Sequence, residues 1–361
     1  MSVDRLRNWR NSARLILAAA VLLSVVAFIV WSGSRSSNPA PLRQSQEPAS
    51  AVSRLGSGLG LGVPPPAAVS APARSSAGQL SLQKILKYGR AEGEIGMIHE
   101  KEQPPVGPES FAVGKDGAIL IADVVNQRVL VYSGNATYVR GISLPGIALG
   151  DVTVDRQGRI YVYDQVLRSL LQYDVDGTLR STLNLNPRDI DTRGYFHVAD
   201  NGVYFADAAA RDVLVATVRD GLLVAADNSA ERTTDGIHGE SGRIYSLSLN
   251  QGQALLLQTR DPAAGSVSRR VEVPLPGIVS ARYVGEDQTQ RFYVQTERLE
   301  GSNIVLEVLA FSPSGDQLAA TRMPENDYAI WTAKLVDVRG DGTIVQFLPQ
   351  KDQAKINTFA N

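Results

Sequence analysis

The sequence predicts an all-β protein, a six-bladed β-propeller behind an N-terminal transmembrane helix and a disordered linker. Three observations carry that prediction. First, Gly117–Tyr132 (GAILIADVVNQRVLVY) is echoed by Gly158–Tyr173 (GRIYVYDQVLRSLLQY), with Asp123 matching Asp164 and Tyr132 matching Tyr173 at one constant offset. Paired short strands repeating at about forty residues mark a propeller blade. Second, the segments 110–117, 151–158, 195–202 and 335–342 each place apolar residues at their second and fourth positions and close on a turn glycine. That is strand periodicity followed by a hairpin. Third, Leu15–Ser34 carries no charge and is nearly all apolar.

Residues 1–14 are a basic N-terminus containing Arg5, Arg7, Arg10 and Arg14. As a helix, residues 15–34 span about 30 Å, the thickness of a bilayer's hydrocarbon core. The arginine excess before the span places the N-terminus in the cytoplasm and everything after Trp31 outside it. The alternative is a signal peptide that is cleaved to release a secreted chain, but no clear small-x-small site follows the run. Residues 35–78 are rich in Ser, Pro, Ala and Gly. They hold too little apolar surface to offset ordering entropy, so they read as a disordered linker. GSGLGLG at 56–62 lacks the lysine and the flanking strand and helix of a phosphate loop.

Residues 79–361 form the propeller. Inner strands begin near Ser110, Asp151, Tyr195 and Lys334, and two less regular units pass through 239–249 and 282–297. The last unit stops one strand short. The run at 82–89 is expected to supply that strand and close the ring, which removes the open sheet edges.

Composition narrows the function. Lys and Arg total 36 against 37 Asp and Glu, so no global charge argues for nucleic acid. There are no cysteines, which excludes disulfides and thiolate metal sites. There are three histidines, and no nucleophile elbow, P-loop or zinc-protease helix motif.

Blade one resembles the NHL repeat, within the TolB-like propeller superfold, through Gly117, Asp123, Asn126, Arg128 and Tyr132. Blade two keeps Gly158, Asp164 and Tyr173 but has Leu167 and Ser169 where the pattern has Asn and Arg; blade three keeps Gly202 and Asp207. The resemblance implies a six-bladed ring with a binding face at one end of its channel. The repeating aspartates have a structural explanation, since each ends a strand and can cap the following loop.

The face bearing the inner-strand starts and the loops between second and third strands is the expected binding face. Its candidates are Glu109, Ser110, Asp151, Tyr195, Asp235, Arg282 and Lys334. His197 occupies a channel-facing position whose counterparts are Ala112, Thr153 and Asp337, and His238 follows about one blade later. Each is expected to be a hydrogen-bonded structural histidine; the alternative is that the two imidazoles from adjacent blades share a zinc, and a lactonase-like calcium site would use Glu109. No cofactor is expected. The expected function is a membrane-anchored extracytoplasmic module that binds or scaffolds an envelope protein or polysaccharide. The alternative is a metal-dependent lyase or hydrolase in the channel.

Overall fold

The structure, a computed structural model, describes residues 76–360 apart from 78, 188, 191–193, 201, 208–209, 228–232 and 262–265. The basic N-terminus, residues 15–34 that the sequence reads as a transmembrane helix, and nearly all of the linker lie outside the described residues. Among the described residues no helix is long and apolar enough to cross a membrane.

Six antiparallel sheets follow one another along the chain. Blade one holds Phe111–Val113, Ile119–Asp123, Arg128–Tyr132 and Tyr138–Ser143. Blade two holds Leu149–Val154, Ile160–Asp164, Ser169–Tyr173 and Leu179–Asn184. Blade three runs from Tyr195–Ala199 through Gly202–Ala206 and Arg211–Arg219 to Leu222–Ala225, and Thr233–Asp235 also pairs with its third strand. Blade four is Ile237–His238, Ile244–Asn250, Ala254–Asp261 and Ser266–Pro274. Blade five is Ile278–Glu286, Phe292–Glu300, Asn303–Phe311 and Gln317–Arg322. Blade six is Val336–Val338, Ile344–Pro349 and Ala354–Ala360, completed by the early strand Gln79–Leu86. The protein is therefore an all-β, six-bladed propeller whose first and last segments share one sheet.

Apolar side chains alternate out of each strand into the seams between blades. Phe111 and Val113 pack with Phe347 and Ile356 of blade six. Leu120 and Val129 meet Val152 and Val162 of blade two. Tyr245 and Leu257 of blade four join Phe292 and Phe311 of blade five. These seams form the core, and each blade depends on both neighbours.

Three details differ from the sequence expectation. The closing strand is Gln79–Leu86 rather than 82–89, because the chain turns at Lys87–Gly89 to cross over blade one. Ser76–Ala77, inside the stretch read as linker, pairs in parallel with Thr321 and Arg322 on the outer edge of blade five. Such pairing uses only backbone groups, so side-chain composition does not announce it. In blade four the inner strand shrinks to Ile237–His238, entered through Gly236 at φ +111. A Cβ there would lie 2.9 Å from the Tyr245 carbonyl oxygen.

Candidate functional site

The central channel is narrow and its polar side chains are mutually engaged. About 70 Å³ remains free along Ala112, Thr153, His197, His238, Lys334 and Asp337, well below the roughly 300 Å³ at which ligand pockets begin. Carboxylates latch successive inner strands together. Asp151 accepts the Phe196 N–H of blade three at 2.6 Å and the Ser110 hydroxyl of blade one. Asp337 accepts the Val113 N–H at 2.9 Å, joining blade six to blade one. Lys334 donates to the Val152 carbonyl at 2.7 Å and pairs with Asp151 at 3.2 Å. At the far end Lys115 and Arg156 both meet Glu240 at 2.9 Å. Glu286 of blade five accepts the Ser241 N–H and hydroxyl of blade four, each at 2.6 Å.

His197 and His238 do meet, but through a carboxylate that the sequence reading passed over. Asp212 Oδ1 lies 2.9 Å from His197 Nε2, while Oδ2 lies 3.1 Å from His238 Nδ1 and accepts the His238 backbone N–H at 2.6 Å. The Tyr204 ring stacks between the two imidazoles, with centroids 5.5 and 4.5 Å away. Burial pushes the Asp212 carboxyl up, but the His197 charge and the hydrogen bonds from both histidines outweigh it and hold the group at about 2. Asp212 pairs across from Ala206, where blade one has Val129 across from Ala122. A carboxylate at an apolar blade position was the available signal. No group of three or more His, Asp or Glu suited to a metal is present among the described residues.

The face bearing the inner-strand starts is open. The connection from blade five to blade six, 323–335, crosses it and lines two clefts with Trp331 and Ala333. The larger, about 520 Å³, is lined by Tyr195, Arg282, Tyr283, Tyr328, Trp331 and Thr332 among others. The smaller, about 220 Å³, includes Glu109, Tyr163, Arg168 and Phe196. Burial pushes the Glu109 carboxyl above its ordinary range. Trp331 is 62% exposed, and beside the smaller cleft Val166 and Leu167 are 65% and 66% exposed.

The predicted residues thus divide into groups. Tyr195 and Arg282 come together in the larger cleft, the guanidinium 5.2 Å from the ring centroid. Glu109 lines the smaller. Ser110, Asp151 and Lys334 are buried in the latches, because hydrogen-bonding groups this deep must pair within the ring; Asp151 also lines the smaller cleft. His197 and His238 line the channel. Asp235 is exposed on the extra strand of blade three and lines neither cleft; its carbonyl accepts from Ser246 at 3.1 Å and Arg260 at 3.2 Å. Sequence reasoning missed Tyr283, Tyr328, Trp331 and Thr332. The last three sit in a connection with no repeat counterpart, and Trp331, one of three tryptophans in the chain, was the one visible cue.

No family model matches this chain, and no curated protein matches it in sequence. Among solved structures it is similar to a streptogramin B lyase, at 11% identity and TM-score 0.43 over 79% of this chain and 100% of that one. It is also similar to virginiamycin B lyase from Staphylococcus aureus, at 12% identity and TM-score 0.39 over 77% and 100%. A DUF4221-family protein from Bacteroides vulgatus gives 11% identity and TM-score 0.39 over 78% and 99%. Likeness at this level concerns the fold alone. The blade assignment rests on the strand pairing described above.

Proposed function

We propose that this protein is a membrane-anchored, extracytoplasmic binding or scaffolding module, and that it works through the face carrying the two clefts. The observation that carries the reading is a division of labour. Channel side chains are taken up by latches between blades, whereas the cleft face presents Trp331, Val166, Leu167 and an open cleft of about 520 Å³. Exposed apolar side chains beside a cleft lined with polar groups favour a ligand or partner there. The NHL-type pattern of blade one is consistent with a binding propeller, and the anchoring follows from the uncharged span 15–34 and the arginines before it. The linker would let the ring reach roughly 40 Å from the membrane by random-coil scaling. The partner is an envelope protein or polysaccharide.

Channel chemistry has less support. Each histidine spends a ring nitrogen on Asp212, and the free channel volume is too small for a substrate.

Two experiments test the reading. A photo-crosslinking residue at position 331 should give a discrete adduct in cells, and one at Asp176 on the opposite face should not. Equal adducts from both, or none from 331, reject the binding face. A reporter fused after Asn361 should be active only outside the cytoplasm; activity inside it rejects the orientation.

A further inference from the structure

The larger cleft carries an unanswered charge and a set of unanswered donors. Arg282 makes three hydrogen bonds, each 3.0 Å long, to the Ala333 carbonyl, the Val336 carbonyl and the Gln295 amide oxygen. All three acceptors are neutral. Among the described residues no carboxylate forms an ion pair with Arg282, and its buried Nε has no acceptor. The acidic groups lining the same cleft are engaged elsewhere: Glu297 accepts from Ser280 at 2.6 Å, and Asp207 pairs with Arg211 at 2.6 Å. Thr332 of the same cleft is only 5% exposed, and its hydroxyl also has no partner.

A guanidinium without a counter-charge and a hydroxyl without an acceptor are costly to keep in a folded chain. An acceptor oxygen and one negative charge, delivered by a ligand, answer both groups. The cleft also offers flat aromatic surface. Tyr195 lies against the guanidinium, and the Trp331 indole stands open at the rim. Such rings pack against the C–H face of a pyranose while the sugar's oxygens point sideways to donors. An acidic peptide supplies a carboxylate too, but the exposed indole in the same cleft as the guanidinium favours the flat C–H face of a pyranose.

We infer that the larger cleft binds a carboxylate-bearing saccharide, with Arg282 taking the carboxylate, Thr332 donating to a sugar oxygen, and Trp331 stacking on a ring. This inference rests on the cleft face being the binding face. It narrows the partner to an acidic polysaccharide or a glycan bearing uronic acid units.

The chain itself supplies a probe. It has three tryptophans, Trp9, Trp31 and Trp331. In full-length protein in nanodiscs carrying Trp9→Phe and Trp31→Phe, emission reports on the cleft alone. Tri-uronates of the galacto, gluco and manno series should be titrated beside the neutral galactose trimer and triglutamate. At least one tri-uronate should change Trp331 emission saturably and bind about tenfold or more tighter than both controls. Arg282→Gln should weaken that binding by about tenfold or more. Thr332→Val, which keeps the side-chain shape, should weaken it about threefold with an unchanged unfolding midpoint, so the inference stays testable if Arg282→Gln does not fold. No response to any tri-uronate, equal binding of the neutral trimer, or tighter binding of triglutamate would overturn the inference. If those titrations fail while position 331 still crosslinks to a partner, only the saccharide assignment falls. If both fail, the binding face falls with it.

Discussion

Blades one and two share one strand and turn pattern, yet they use their common aspartate differently. In blade one, Asp123 is fully engaged. It accepts the Gly96 N–H at 2.9 Å, the Asn126 amide at 2.8 Å and Arg128 Nε at 2.9 Å. Asn126 and Arg128 in turn hold the carbonyls of Gly89 at 2.9 Å and Glu94 at 2.6 Å. The motif therefore clasps the segment that crosses from the closing strand onto blade one. In blade two, Asp164 caps the backbone of Val166 and Leu167 at 3.0 Å each, and its other oxygen is buried without a partner. The contrast explains why the repeat decays. Among the described residues no comparable crossing segment is held by the Asp164 loop, so nothing there calls for the Asn and Arg in whose places Leu167 and Ser169 stand.

The sharpest way to break this comparison is to remove each aspartate. Asp123→Ala strips a buried acceptor from Arg128 and releases the crossing segment, and should cost about 3–5 kcal/mol in denaturant unfolding. Asp164→Ala loses two backbone caps but also an unpaired buried oxygen, and should cost about 1 kcal/mol. Equal losses would refute the clasp.

Asp212→Asn comes next, at roughly 2 kcal/mol. The sign follows from a carboxyl held at about 2 against an ordinary 3.8. Its stabilising contribution is complete above pH 3.8 and disappears as pH falls through about 2. The gap between native protein and Asp212→Asn should therefore close across that window, as read by unfolding midpoints against pH. A gap that is constant with pH would mean the histidines do not hold the carboxylate.

The smallest effect is a repair. Leu167→Asn with Ser169→Arg copies the blade-one motif into blade two and supplies donors for Asp164. A gain of about 1 kcal/mol is expected, as for one buried hydrogen bond restored. Loss of the crosslink from position 331 in the same variant would further show that the exposed Leu167 contributes to the binding face.

Much of this was legible in the chain. Blade number, ring closure and the capping role of the aspartates follow from local periodicity, because each blade repeats the same strand and turn chemistry. The site was legible only in fragments. Tyr195 and Arg282 sit at repeat positions, which placed them on the face that carries the larger cleft. Thr332 and Trp331 lie in a unique connection, where no period points to them. Asp212 looked like part of an ordinary strand, and its role depends on two histidines far away in sequence. Ser110 and Asp151 looked like rim residues because strand starts face the mouth, but the ring is tight enough to bury them as latches.

Elemental analysis of the purified full-length protein is the most direct test of the central claim, that the channel groups serve structure while the outer face serves binding. It should be run beside a His197→Ala, His238→Ala variant. The account predicts no stoichiometric zinc or calcium in either protein. One equivalent of metal in the native protein, lost from the variant, would contradict it and make the channel the functional site.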